Sequence, residues 1–323
     1  MTIHLVTVVG GHVTVFDEML RHYKECGVES LLVNIHLRAY DDPLYDKVRA
    51  ITAKCGGEII SVFVGKWLQS VNPYLYRHTL KQMPGDWFIL ADSDEFQVYP
   101  ESFTSVVQSA SERGYDHIKG FMVDRVASDG GFPKVESNRS LWEQFPLAGL
   151  VTFPLAGGNI LKVVAAKGSV RISPGQHYAL GGHAYPSDRY NIPIHHFKWT
   201  FGILDRLRLR AQFYKSIGDN LWRESERILR HCEQNGGRLN VHEPAFQLRE
   251  SGLSCPHDRD LKEFVASNAS RMPQSRQLAA ERNKQRKRNQ ELQPGGQPTP
   301  IADPGVMHAQ NQNEKPGEEG EER

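Results

Sequence analysis

Apolar and polar positions alternate in blocks along the first hundred residues. Residues 3–9, "IHLVTVV", form an apolar run of strand length. Phe16, Met19, Leu20 and Tyr23 then recur at helical spacing, and Gly27 stands where a helix C-cap belongs. "SLLVNIH", 30–36, predicts a second strand, followed by a polar helix to about Cys55 that Gly56 and Gly57 close. "EIISVFV", 58–64, predicts a third strand. Asn72 and Pro73 have the chemistry of an N-cap and first helical residue, opening a helix to about Met83. "DWFILADSDEF", 86–96, supplies the fourth strand. Four such alternations predict a parallel α/β sheet covered by helices on both faces.

Beyond Pro100 the rhythm changes. Phe103, Val106, Val107 and Ala110 mark a helix, and "HIKGFMV", 117–123, a strand. A loop-rich zone follows over 124–159, then strand-like pieces at 160–165, 169–172, 176–180 and 192–197. The pattern is helical from Trp199 to Glu233, interrupted at Gly218. A main domain is expected over 1–240 and a helical extension over 241–270. From 271 to 323 hydrophobic residues become scarce, a basic run "RNKQRKRNQ" gives way to an acidic end, and the composition is that of a disordered tail.

Composition narrows the function classes. With 323 residues there is room for one large domain or two ordinary ones, and 39% hydrophobic content is compatible with a packed core. A net charge of +1 gives no case for nucleic acid as a partner. The four cysteines, Cys26, Cys55, Cys232 and Cys255, lie far apart with no CxxC pair, which argues against a zinc knuckle or disulfide framework and for reduced thiols in a cytoplasm. No apolar run reaches the ~20 residues of a transmembrane helix. The N-terminus has neither the basic region nor the cleavage site of a signal peptide, so the expected location is cytoplasmic, with peripheral contact at the inner membrane face compatible.

The fourth strand carries the chemistry. Apolar residues from Trp87 to Ala91 run straight into Asp92, Ser93, Asp94 and Glu95, three like charges in four positions. Something positive belongs there, or the cluster lies in water. Ligands of open parallel sheets bind beyond the carboxyl ends of the strands, and a D-x-D turn offers the hard oxygens that Mg²⁺ or Mn²⁺ prefers. On that reading Asp92 and Asp94 are metal ligands; the alternative is a solvated strand-end turn. His177, His183, His195 and His196 crowd a short stretch. In "HHFKW" period-two alternation places His196 and Lys198 on one face and His195, Phe197 and Trp199 on the other, so the first pair should face the cleft. His183 reads as an ordinary loop histidine.

"FILADSDEF", 88–96, resembles the strand and D-x-D-E-F segment of GT-A-fold glycosyltransferases, close to glycosyltransferase family 2. "EMLRHYKECGVESLLV", 18–33, is similar to the family's first helix and turn into the second strand. "DRVASDGGFP", 124–133, and "LWEQFP", 141–146, resemble the middle region of a bacterial branch. "KVVAAKGSVRISPGQHYA", 162–179, resembles its hairpin, and "IHHFKW", 194–199, the strand before a long helix. The chain departs from many relatives at Gly10-Gly11-His12, where they carry Asn-Glu, and at "NIHLRAYDD", 34–42.

The resemblance implies an open twisted α/β sheet of the GT-A type and a metal-dependent transfer of sugar from a nucleoside-diphosphate sugar to a glycan or other hydroxyl acceptor, as in polysaccharide synthesis. It implies Mn²⁺ or Mg²⁺ held by Asp94, Asp92 and His196. It also implies donor contacts from Asp92, His177 and Lys198. A general base is needed if configuration inverts, and Asp129 and Glu143 are candidates, with a plain turn residue in "SDGG" the alternative for Asp129. A metal-dependent nucleotidyltransferase or phosphohydrolase could use the same D-x-D. So could a non-catalytic nucleotide-sugar-binding protein on the same scaffold.

Overall fold

A computed structural model describes residues 2–157, 159–186 and 192–250. In chain order the elements are β1 (Ile3–Gly10), α1 (Phe16–Glu25), β2 (Ser30–Leu37), α2 (Leu44–Lys54), β3 (Glu58–Val64), α3 (Val71–Leu80), β4 (Trp87–Leu90), β5 (Glu95–Gln97), α4 (Phe103–Glu112) and β6 (His117–Val126). There follow α5 (Leu141–Gln144), β7 (Leu147–Gly149), α6 (Thr152–Ala156), β8 (Leu161–Lys167), β9 (Arg171–Ile172), β10 (Ala179–Leu180), β11 (Ile192–His196), α7 (Ile203–Ser216), α8 (Trp222–Gln234) and β12 (Arg249–Glu250).

One open sheet runs in the order β12-β7-β6-β8-β4-β1-β2-β3, with helices on its faces. This is the α/β architecture that the GT-A resemblance implies. β1, β2 and β4 are buried on both sides, which is why they read as continuous apolar runs, while the edge strand β3 is half-buried. Along β1, Ile3, Leu5 and Val9 enter a core with α1 and α2, whereas Val6 and Val8 enter one with α3. Trp87 and Ile89 of β4 go to the first core, Phe88 and Leu90 to the second. Each such side chain contributes about 1.5–3 kcal/mol on burial, so a register slip in either strand would be costly.

The parallel character expected from the alternation holds for β3, β2, β1 and β4. Beyond β4 the sheet is mixed, because β8 runs antiparallel between β4 and β6. β11 lies parallel to β6 and antiparallel to β5, locking the residues just after the acidic turn into the sheet.

Several boundaries differ from expectation. α3 starts at Val71, one residue before the expected cap, and Asn72 lies in its first turn. The helix expected from Trp199 starts at Ile203, because Trp199 and Thr200 are fully buried and Gly202 takes a left-handed φ of 78°. Residues 241–250, expected to begin a helical extension, form a 3-10 turn (Pro244–Phe246) and β12 instead. Phe246 is buried in a third core with Trp199, Ile203 and Ile228, and its carbonyl accepts from Leu150 N, so tertiary contacts override a helix there. The expected tail, and 251–270 of the extension, lie outside the described residues.

Candidate active site around the acidic turn

β1 is flanked by β2 on one side and β4 on the other. That is a topological switch point, where loops leaving the carboxyl ends of two neighbouring strands diverge and open a crevice. The loop after β1 carries Gly10, Gly11 and His12, and the turn after β4 carries Asp92, Ser93 and Asp94. The turn is closed by Glu95 N donating to Asp92 O at 3.0 Å.

The three carboxylates separate into two environments. Asp92 and Glu95 meet Lys162 of β8, whose ammonium donates to Asp92 Oδ2 at 2.8 Å and to Glu95 Oε1 at 2.5 Å. Lys162 and Glu95 side chains are only 3% and 2% exposed. Burial opposes the charge on Lys162, yet the two carboxylates hold its pKa above the usual lysine value. Burial likewise opposes ionisation of Asp92, and the lysine carries its pKa below the usual carboxylate value. Asp92 Oδ1 also accepts from Gln176 Nε2 at 2.8 Å and Asn72 Nδ2 at 3.5 Å, with Tyr76 Oη at 3.3 Å. Its lone pairs are therefore largely taken by the protein. Lysine is the positive charge that the sequence demanded.

Asp94 points the other way. Its side chain is 17% exposed, and Oδ2 lies 3.5 Å from Nε2 of His196 at the end of β11. The other nitrogen of that ring, Nδ1, lies 3.1 Å from Oδ1 of Asp124 at the end of β6. Asp124 is fixed in turn by Thr152, whose N–H and hydroxyl donate at 2.6 Å and 2.8 Å. Burial opposes charge on His196, but Asp94 and Asp124 on its two sides raise its pKa to about 10. The metal-free imidazole is thus a cation bridging two carboxylates.

His196 lies on the cleft-facing side of β11 and Lys198 follows just beyond the strand, while His195 packs against Arg125, and Phe197 and Trp199 join cores. Lys198 is half-buried, and burial lowers its pKa in spite of Asp124 and Asp94 nearby. Among the described residues its ammonium makes no hydrogen bond or ion pair and lies 5.1 Å from the ring centroid of Trp199. His12 also stands in the field of Asp94, and burial lowers its pKa.

The remaining candidates have other partners. His177 directs Nδ1 to Leu161 O at 2.9 Å, and its neighbour Gln176 reaches Asp92 instead. Gln176 is fully buried and holds a positive φ of 58°, a strained backbone for a non-glycine residue. Asp129 is 63% exposed, accepts from Gly131 N at 2.9 Å and lies 3.6 Å from Arg238, an Asx-type turn. Glu143 is exposed on the short helix α5. Sequence reading missed Lys162, Asp124 and Gln176. Lys162 carried a signal, a lysine opening an otherwise apolar strand, but its partner is decided by strand order.

Asp94 and His196 are the residues that could hold a divalent cation here, one carboxylate oxygen and one ring nitrogen, with substrate and water completing its shell. Asp94 Oδ2 and His196 Nε2 are adjacent, and Asp124 on Nδ1 is the carboxylate that orients a ligating histidine. Among the described residues no three His, Cys, Asp or Glu side chains form a ready-made cage. Mg²⁺ is commonly held by one or two carboxylates with substrate phosphates and water supplying the rest.

No protein-family model and no curated protein matches the chain. Among solved structures, TarS 1-349 of S. aureus matches at 12% identity and TM-score 0.35, covering 76% of this chain and 76% of that one. A putative glucose-1-phosphate thymidylyltransferase from Bacillus anthracis, in complex with a sucrose, matches at 11% identity and TM-score 0.29, with 82% and 94% covered. HddC from Yersinia pseudotuberculosis matches at 10% identity and TM-score 0.28, with 42% of this chain covered. The chain spans 65% of HddC and 39% of the longer TarS chain. No function transfers at these identities and scores.

Proposed function

We propose that this chain is a glycosyltransferase that takes its sugar from a nucleoside-diphosphate sugar and uses a divalent cation, Mn²⁺ or Mg²⁺, at Asp94 and His196. The observation that carries this reading is the arrangement Asp94–His196–Asp124 at the switch point, near a lysine ammonium with no acceptor among the described residues. A carboxylate of the turn after β4, a carboxylate of β6 and a histidine of β11 converge there, although they are far apart in sequence.

The protein's residues divide the work. Asp94 and, once its Nε2 proton is displaced, His196 would hold the cation, with Asp124 keeping the remaining ring proton on Nδ1. A cation there would offset the charge that develops on a departing diphosphate. Lys198 supplies a further positive charge for the phosphates, half-buried and already stripped of most of its water. Asp92 shapes the turn through Lys162 and Gln176, and this role displaces it from the metal set in our assignment. The acceptor is a hydroxyl compound such as a glycan.

A thermal-shift panel of nucleoside diphosphates with and without Mn²⁺ tests the reading. A ligand at 100 times its dissociation constant should add about 2.7 kcal/mol of stability. At least one nucleotide should stabilise the protein, and only with the metal. No stabilisation by any of them would overturn the proposal. Pyrophosphate formation from a nucleoside triphosphate and a sugar phosphate would instead identify a nucleotidyltransferase.

A further inference from the structure

A second cation stands at the same crevice. Arg206, in the first turn of α7, is half-buried and makes no ion pair with any carboxylate among the described residues. Its guanidinium is held by neutral groups. Nη1 donates to Phe201 O at 2.9 Å and Nη2 to Thr200 Oγ1 at 3.3 Å. Thr200 is fully buried and therefore a firm anchor. Five N–H groups are available to a guanidinium, and these two bonds leave the others open to water or a ligand.

The backbone beneath it is specialised for the purpose. Gly202 has φ of 78°, and a Cβ built there would lie 3.3 Å from Arg206 Nη1. A side chain at 202 would both strain the turn and press on the guanidinium. The seat is tied to the acidic turn by short links: Phe197 N donates to Asp94 O at 2.9 Å, and Thr200 N to Lys198 O at 2.9 Å. Arg206 and His12 both stand in the field of Asp94. Removing a guanidinium from water without a carboxylate partner is costly. A guanidinium pinned in this way in the field of Asp94, with no carboxylate bonded to it among the described residues, is prepared for an anion with several oxygens.

We infer that Arg206, seated on Gly202 and Thr200, binds the diphosphate of the nucleotide together with Lys198. The inference rests on the function proposed above and adds a residue to it. The planar fork of arginine suits two phosphate oxygens at once, whereas lysine acts as a point charge. Arg206 is therefore expected to discriminate diphosphates from monophosphates.

The test uses the full chain with Mg²⁺ and three probes: inorganic pyrophosphate, the nucleoside diphosphate that best stabilises the wild type, and the matching monophosphate. Binding is measured by calorimetry for the wild type, Arg206→Gln, Arg206→Lys and Gly202→Ala, with thermal melts as the folding control. Arg206→Gln should weaken pyrophosphate and diphosphate at least tenfold and the monophosphate much less. Arg206→Lys should recover part of the loss. Gly202→Ala should reproduce part of it with the arginine still present. Diphosphate binding by Arg206→Gln at wild-type strength would overturn the inference and leave the proposed function standing. If the wild type binds neither pyrophosphate nor any diphosphate, both fall.

Discussion

Asp92 and Asp94 are two residues apart on one turn, yet they sit in opposite electrostatic situations. Asp92 shares Lys162 with Glu95 inside the sheet and is surrounded by protein donors. Asp94 has one long contact, to a histidine that a second carboxylate also claims. The first arrangement is saturated, and a ligand could bind only by displacing a bond. In the second, the positive partner is a group that can give up a proton and so can be exchanged for a metal ion. A D-x-D turn is thus two devices: one aspartate fastens the turn to the sheet and the other offers it to the cleft.

The largest effect should come from breaking the fastening. Lys162→Met leaves Asp92 and Glu95 buried without their cation, and removing one partner of a buried ion pair costs about 3–5 kcal/mol. Urea unfolding should show a loss of that size, and adding Glu95→Gln should return part of it. A cost near zero would mean that the two sites do not differ as described.

Alkaline pH should act on the other side of the turn. An imidazole in an unfolded chain titrates near 6.5, and His196 in the folded metal-free protein titrates at about 10. Its stabilisation is complete below about pH 6.5 and is lost as pH rises toward the folded value, amounting to a few kcal/mol at most. The low pKa values of Asp94 and Asp124 are the same attraction seen from its partners, so they are not added to it. Melting temperature followed from pH 6 to 10 should fall in the wild type and fall less in His196→Gln. Equal slopes would remove the imidazolium from the account.

Asp94→Asn should separate ligand from fold. Stability without ligand should fall by a few kcal/mol at most, because Asp94 is one of the two carboxylates that hold the His196 imidazolium, and the fold should remain intact. The gain of about 2.7 kcal/mol from saturating nucleotide and Mn²⁺ should disappear. Metal-dependent stabilisation that survives this change would move the cation site elsewhere. Asp129→Asn is the mildest case, altering an exposed turn and a surface ion pair worth about 1 kcal/mol or less. Calorimetry should find its nucleotide binding unchanged, and a loss would bring that turn into the cleft.

Much of the first half of the fold was legible. The apolar runs at 3–9, 30–36, 58–64 and 87–91 and the helical spacing of Phe16, Met19, Leu20 and Tyr23 correspond to elements of the structure. These patterns are local, since strand and helix periodicity is written directly into neighbouring residues. The short elements of 124–159 were not legible. β7 and α6 are too short to carry a period, and β7 exists because β6 and β12 pair with it. Glu95 and Gln97 read as polar, yet they form β5 because β11 pairs with them.

The sequence by itself placed an acidic turn at the end of a buried strand and His196 in a later strand. It also required a positive charge near the turn. Which charge answers was decided by tertiary structure alone. Lys162 reaches Asp92 because β8 lies antiparallel to β4, and Asp124 reaches His196 because β6 lies parallel to β11. Strand order arises from long-range pairing and from the burial of whole faces. A charge is attracted to any opposite charge within reach, and only the assembled sheet determines which one that is.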